Sequence, residues 1–344
     1  MKLSQKEIFK ALQVESIDDI KNISSDFSFK GGFYIPNDLK YKTSSQNLSK
    51  LFSKLPLSSA AKAYRKNHSY FDFFRPHLGG KYFLRLDIKA FFNSIKREQI
   101  EDFLISHLKG KNAYEIKFLA KRISFFLTVE ADKDQILPIG FPASPAIANL
   151  VFRPLDIAIE KLCQEKKIIY SRYSDDLMFS SENSSTIHSN WFESQISYII
   201  SKLDMRLNTR KRIATTDTIS LNGYVISGES PNKKISFSNQ RLRILKKLIH
   251  YKKVRKLPDK VIAKKLFQDN LKSLDSSLKF AKKESFLDTF CRDQVINKLR
   301  GFRSYLISLL NYDDLYSCVQ SEHREHISSL TEELNTIILS YDRG

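Results

Sequence analysis

Two adjacent carboxylates, Asp175 and Asp176, stand between the β-prone runs Ile168-Ile-Tyr-Ser-Arg-Tyr173 and Leu177-Met-Phe-Ser180. Runs of that kind meeting at a short polar break predict a hairpin, and a hairpin here presents both acids at its turn. Two anions held side by side repel, so a fold that presents them this way usually holds a divalent cation, with Mg²⁺ the natural choice. A third acid, Asp87, ends the strand-like run Tyr82-Phe-Leu-Arg-Leu86 and leads into the aromatic-rich Ile88-Lys-Ala-Phe-Phe92-Asn-Ser-Ile95. If the two strands lie side by side, the acids converge into a cluster able to hold two metal ions across a transferring phosphoryl group. The dipeptide alone is not the signal. Asp18-Asp19 and Asp313-Asp314 repeat it, and such pairs commonly sit in solvated turns.

The acids need a scaffold. Between about residues 80 and 230, short β-rich runs alternate with helical segments, which predicts an α+β core with a small sheet. One helix start is well marked: Ser144 can cap, Pro145 suits the first turn, and Ile147, Leu150, Val151, Ile157 and Leu162 follow at helical spacing, with Pro154 as a place for a kink. The polar stretch 181–189 reads as a loop. All nine prolines lie between Pro36 and Pro258, and beyond Pro258 the only glycines are Gly301 and Gly344, so the C-terminal region reads as amphipathic helices.

The chain has 344 residues, 42% hydrophobic and 28% charged, which supplies a sizeable core and excludes a disordered polymer. Fifty-seven Lys+Arg against 38 Asp+Glu leave a net charge of +19, easiest to retain beside a polyanion such as nucleic acid. Residues 241–256 concentrate that charge: Arg241, Arg243, Lys246, Lys247, Lys252, Lys253, Arg255 and Lys256 alternate with Leu242, Ile244, Leu245, Leu248, Ile249 and Val254. One face can pack while the other meets a phosphate backbone without reading sequence. Cys163, Cys291 and Cys318 are far apart and odd in number, which excludes a disulfide framework or a paired-cysteine zinc site and implies a reducing compartment. No apolar stretch is long enough to cross a bilayer and the N-terminus is charged, so the expected location is cytoplasmic, away from membranes.

These segments together resemble the reverse transcriptase superfamily, within it the bacterial retron-like and defence-associated branch. Tyr173-Ser-Asp175-Asp176 matches the family's YxDD box and Leu86-Asp87-Ile-Lys-Ala-Phe-Phe92 its first-aspartate motif. Leu137-Pro-Ile-Gly140-Phe-Pro-Ala-Ser144-Pro145-Ala-Ile-Ala-Asn149-Leu matches GxxxSPxxAN, Leu207-Asn208-Thr-Arg-Lys211 the pyrophosphate-side lysine motif, and Leu221-Asn-Gly223-Tyr-Val-Ile-Ser the entry to the thumb. The resemblance implies a right-hand polymerase fold, α+β, with an N-terminal segment and fingers over 1–80, a palm over 81–230, and a helical thumb and C-terminal region over 231–344. It implies an RNA-directed DNA polymerase with Asp87, Asp175 and Asp176 as catalytic acids. Two Mg²⁺ ions, or Mn²⁺ as substitute, would be held by those acids and the backbone carbonyl of Ile88. Phe92 falls at the steric-gate position that favours dNTPs, although Phe91 beside it could exchange roles with it. Gly140 and Ser144 would approach the nucleotide, Lys211 would steady the pyrophosphate, and Arg65 and Lys66 fall where fingers contact a triphosphate. Arg300 and Arg303 fall in a segment resembling the retron thumb and join the basic run in nucleic-acid binding.

Three positions depart from the retron pattern. Ile139 stands where retrons usually carry Gln, Phe73-Phe-Arg-Pro-His77 keeps only the histidine of NAxxH, and Leu221-Asn-Gly223 replaces VTG. Ile139 resembles the abortive-infection and unknown-group enzymes, which favours a defence-associated enzyme over a retron enzyme making msDNA. The resemblance implies a dedicated non-coding RNA as template or scaffold, an RNA–DNA duplex product, and leaves room for an effector protein or homo-oligomer. Untemplated or protein-primed synthesis, and a non-catalytic RNA-binding scaffold, stay open as alternatives.

Overall fold

The computed structural model describes residues 2–20, 27–131, 134–267 and 284–342. Part of the expected C-terminal helical tract, 268–283, lies outside the described residues. Contacts divide the chain into two units, residues 1–216 and 217–344.

The first unit is built on a four-stranded sheet. The elements of this unit that bear on the site are, in chain order, the hairpin β1 (Phe27–Lys30) and β2 (Phe33–Pro36), helix α1 (Leu39–Phe52), strand β3 (Tyr82–Asp87), helix α2 (Ser144–Glu165), strands β4 (Ile169–Tyr173) and β5 (Asp176–Ser181), helix α3 (Asn190–Ser201) and strand β6 (Ile213–Thr216); further helices, among them Gln5–Leu12, Arg97–His107 and Ala113–Leu127, pack in the same unit. The sheet order is β6-β3-β5-β4, antiparallel throughout. Strand β5 is buried at every position, because helices and loops cover both faces, and so it carries no period-two signal. Leu84, Leu86, Leu177 and Phe179 of the sheet share one core with Phe152, Leu155 and Ile159 of α2 and with Phe192, Ile196 and Ile200 of α3.

The start of α2 corrects the sequence expectation. Ala143, not Ser144, is the capping residue, and it makes no side-chain cap. Ser144 is already the first helical residue, and its hydroxyl is buried without a partner. The orphan amide of Ala143 is instead met from outside the helix, by the hydroxyl of Ser45 in α1 at 3.1 Å. Pro154 lies inside α2 without ending it. Ile157 is 47% exposed, so the buried stripe runs through Leu155 and Ile159. The 181–189 stretch contains one 3₁₀ turn, Ser185–His188.

The second unit has a three-stranded antiparallel sheet, β7 (Ile219–Leu221), β8 (Tyr224–Ser227) and β9 (Lys234–Phe237), followed by helices α4 (Asn239–Lys253), α5 (Asp259–Leu266), α6 (Glu284–Tyr316) and α7 (Ser321–Asp342). Ser238 caps α4 by accepting from the amide of Arg241. Leu245, Leu248 and Ile249 are buried, as the amphipathic pattern requires, whereas Val254 lies past the helix end and is 65% exposed. At Gly223, with φ +82°, a Cβ would lie 2.1 Å from the Arg241 side chain. That close approach lets the Arg241 guanidinium lie over the Tyr305 ring, 4.2 Å from its centroid.

Candidate active site

Strand register gathers the acids. Asp87, the last residue of β3, pairs directly with Asp176, the first of β5. Tyr173 of β4 also faces Asp176, so Ser174 and Asp175 form a two-residue turn. Ser174 has φ +60° whereas Asp175 does not enter the left-handed region, the sign pattern of a type II′ turn. A serine in that conformation is strained, and such strain survives where neighbours over-determine it. The turn is tied to the first-aspartate strand by the amide of Ile88, which donates to the Asp175 carbonyl at 2.9 Å, while the Asp87 carbonyl accepts from Asn208 at 2.7 Å. Of the two adjacent acids, therefore, only Asp175 sits on the turn.

The site's electrostatics depend on two cations. Asp87 is 2% and Asp176 8% exposed. Burial raises the pKa of Asp175, and the Asp87 charge adds to that shift. Burial likewise pushes Asp176 up to about 6, in spite of the Arg85 guanidinium beside it. Arg85 lies two residues before Asp87 and hence on the same face of β3. Its Nη2 donates to Oδ1 of Asp87 at 3.1 Å and also to Oδ1 of Asp176, and its Nη1 donates to the Lys211 carbonyl at 2.7 Å. Lys211, from the 3₁₀ turn Thr209–Lys211, places Nζ 3.0 Å from the same Oδ1 of Asp87. The acids do not stand as a preformed metal cage: among the described residues no three His, Cys, Asp or Glu side chains come together closely enough to hold an ion. The donor set nevertheless suits a divalent cation, because Asp87 and Asp176 are cross-strand partners with Asp175 on the adjoining turn, and burial penalises the charge of Asp175 and Asp176 unless a cation joins them.

Buried groups around the hairpin hold it in place. Arg172, fully buried, donates from Nε and Nη2 to both oxygens of Asp156 in α2, at 2.8 and 2.7 Å. Its Nη1 reaches Asn149 at 3.0 Å and the Ser174 carbonyl at 3.1 Å. Burial opposes the Arg172 charge, but Asp156 more than offsets it and raises the pKa. The guanidinium also lies over the Phe152 ring at 4.5 Å. Asn149 in turn donates to the Ala63 carbonyl at 2.9 Å. One side chain thus ties the Ser174–Asp175 turn to α2, and through Asn149 to the segment before Tyr64.

His77, the remnant of NAxxH, is a clamp. Its ring nitrogens lie 2.7 Å from the hydroxyls of Ser180 on β5 and Ser171 on β4. Complete burial pushes its pKa down to about 3. Unfolding restores the ordinary value near 6.5, so the unfolded chain takes up a proton that the native one refuses, and stability falls with pH below about 6.5. From pH 6.5 to 5 the loss is about 2 kcal/mol. Asp176 acts with opposite sign, since its raised pKa favours the folded state at low pH and that contribution fades as pH rises through about 6. The measurement is therefore a difference: chemical unfolding at pH 5 and 7.5 of the native chain and of His77→Gln, whose pH slope should lack the histidine's share. Identical slopes would refute the clamp.

The remaining predicted residues are placed as follows. Phe91 is 3% exposed and packs edge-on against Phe152, whereas Phe92 is half-buried beside the half-exposed Tyr64, ring centroids 6.3 Å apart. Phe92, not Phe91, is the ring nearer solvent. Tyr64, with φ +58°, also directs its hydroxyl to Ser174 Oγ at 3.3 Å. Gly140 has φ +108°, and a Cβ there would lie 2.5 Å from the Tyr34 carbonyl, so the hairpin β1–β2 needs this glycine. Ile139 accepts the Tyr34 amide through its backbone at 2.7 Å. Arg65 donates to the carbonyls of Ser58 and Ala61, which commits its guanidinium to its own loop, and Lys66 is exposed. In the second unit Arg243, Lys246, Lys247, Lys253, Arg255 and Arg300 are exposed. Lys252 pairs with Asp259, Lys253 with Glu333, and Arg303 donates to Asn335. Asp313 accepts from the Val319 amide and pairs with Arg324, which explains that decoy pair structurally. Arg85, Tyr64 and the Arg172 network were not foreseen. Alternation along β3 was the available signal for Arg85, and a cation inside a β-rich run, with a lone acid in an apolar helix, was the signal for Arg172 and Asp156.

The family model described as reverse transcriptase (RNA-dependent DNA polymerase) matches residues 38–226, more than half of the chain. The chain belongs to the reverse transcriptase family. The mixed helix and sheet composition agrees with the right-hand polymerase fold of that family. Retron Ec73 reverse transcriptase of Escherichia coli is 36% identical over 141 residues, which cover 39% of this chain and 43% of that protein. Retron Ec86 reverse transcriptase of the same organism is 31% identical over 136 residues, 40% of this chain and 39% of that protein. Retron Mx65 reverse transcriptase of Myxococcus xanthus is 30% identical over 151 residues, 40% and 34% respectively. The matches thus span less than half the length of these curated relatives. Among solved structures, telomerase from Candida albicans in complex with a fragment of telomeric RNA shares 12% identity at a TM-score of 0.43, over 86% of this chain and 55% of that one. Among the described residues no helix is long and apolar enough to cross a membrane.

Proposed function

We propose that this chain is an RNA-directed DNA polymerase that extends DNA from dNTPs on an RNA template by two-metal phosphoryl transfer. The observation that carries the reading is the cross-strand pairing of Asp87 with Asp176, with Asp175 on the adjoining turn. Asp87, Asp175, Asp176 and the Ile88 carbonyl would hold the ions, Mg²⁺ or in its place Mn²⁺. Such ions, when bound, would supply acidification of a primer hydroxyl and neutralisation of the pyrophosphate charge. Lys211, already beside Asp87 and largely exposed, can follow the pyrophosphate and steady or protonate it. Phe92 stands where a ring would meet a ribose 2′-hydroxyl. Gly140 belongs to the loop that the nucleotide approaches, and Ser144, buried at the start of α2 with its hydroxyl without a protein partner, follows directly behind it. Arg65 shapes the 58–65 loop and Lys66 offers a charge to a triphosphate. The basic face of α4, with Arg300 and Arg303 of α6, binds the phosphates of an RNA–DNA duplex. The division into fingers (1–80), palm (81–230) and thumb (231–344) belongs to the same reading.

The partner in this reading is a dedicated non-coding RNA, the location is the cytoplasm and the role is antiphage defence, with an effector protein or a second copy as further partner. A retron enzyme making msDNA is the second reading, and the names of the matched relatives favour it. The test is primer extension by the purified protein with Mg²⁺, dNTPs and an RNA template, together with sequencing of co-purified nucleic acid. Templated DNA product is expected. RNA bound without incorporation on any template or primer would convert the protein into a non-catalytic scaffold, and product unrelated to template would convert it into an untemplated polymerase.

A further inference from the structure

The carboxylates of this site are already bridged by a cation that belongs to the chain. Nη2 of Arg85 touches Oδ1 of Asp87 and Oδ1 of Asp176 at once, and so stands where a metal shared by the two acids would stand. Its hold is firm on both sides: the guanidinium side chain is only 13% exposed, and Nη1 is anchored on the Lys211 carbonyl. Nε is buried with no hydrogen-bond partner, so the arginine is poised for these two acids rather than fully satisfied where it lies. Lys211 doubles the effect at Asp87, because both cations use the same oxygen.

We propose that Arg85 is a resident counter-ion of the catalytic site, which a divalent cation must displace before it can bridge Asp87 and Asp176. This rests on the metal-dependent reading above and goes beyond it. Metal binding is then an exchange of one cation for another. The ion gains its carboxylate ligands only as the guanidinium gives up charge-assisted hydrogen bonds of the stronger kind. A nucleotide brings the phosphates that the released Arg85 and Lys211 can pair with, so metal alone binds weakly and metal with nucleotide binds cooperatively. Between the two acids the guanidinium also offsets the repulsion of Asp87 and Asp176.

The test needs no catalysis. Mn²⁺ is titrated into the full chain without nucleotide, free Mn²⁺ being read by electron paramagnetic resonance, for the native chain, Arg85→Gln, Arg85→Met and Arg85→Lys, each checked for folding by circular dichroism. Arg85→Met keeps the reach without charge or hydrogen bonds, and so guards against a defect peculiar to glutamine. Both neutral variants should bind Mn²⁺ about ten-fold more tightly than the native chain, with Arg85→Lys close to native. Adding a non-hydrolysable dNTP should tighten Mn²⁺ binding more in the native chain than in Arg85→Met. Equal or weaker Mn²⁺ affinity in a folded neutral variant, with the binding still abolished by Asp176→Asn, overturns the counter-ion and leaves the metal reading standing. No Mn²⁺ binding in any of the proteins, with or without nucleotide, overturns both.

Discussion

Asp175→Asn should lower dNTP incorporation by about 10³-fold, equivalent to about 4 kcal/mol of transition-state stabilisation, while binding of RNA is retained. The carboxylate on the turn is half-buried and its charge is disfavoured by burial and by Asp87. A neutral amide of the same shape removes that repulsion, so the variant's thermal midpoint at pH 7.5 should equal or exceed that of the native chain. Activity and stability then move in opposite directions, which a merely unfolded variant cannot do. Primer extension beside a thermal melt decides it, and undiminished synthesis by Asp175→Asn eliminates the polymerase mechanism.

Arg172→Met should destabilise the first unit by roughly 3–5 kcal/mol, because Asp156 is left charged and buried without its partner. Tyr170 would still donate to Asp156 at 2.8 Å, too little to replace a bidentate guanidinium. Replacing the whole cluster, Arg172→Met with Asp156→Leu and Tyr170→Phe, should recover most of that loss, since well-packed apolar groups often match a buried ion pair. Incorporation should stay depressed in the triple variant, because the Ser174 carbonyl has lost its donor and the strained turn its restraint. Urea unfolding and single-turnover extension measure the two effects separately. Wild-type stability in Arg172→Met, or full activity in the triple variant, contradicts the role given to Arg172.

The three candidate acids were legible because each is fixed by a local pattern: a strand ending in Asp87, and two β-prone runs meeting at Asp175-Asp176. Their convergence followed once the strands were taken as neighbours, and the Asp87–Asp176 register shows how close that reading came. The capping serine was misplaced because Ser-Pro is an equally good pattern one residue into a helix, and the amide of Ala143 found Ser45 from 98 residues away. No local pattern carries that contact. The same holds for Gly140, whose positive φ is legible as a glycine preference but whose close neighbour, Tyr34, is a product of tertiary docking. His77 read as a leftover of a motif, and only the pairing of β4 with β5 reveals two serines waiting on either side of its ring. Arg85 was hidden by its ordinariness, one of 57 basic residues.

The sheet order β6-β3-β5-β4 bears on biosynthesis. Strand β3 leaves the ribosome before either of its lateral neighbours has been translated, and it waits for β5 on one edge and for β6, ending at Thr216, on the other. Contacts this distant along the chain close slowly. A nascent polypeptide halted ahead of Ile213 would carry all three acids yet lack one flank of the strand that aligns them, so the centre is completed only once residues 213–216 have emerged.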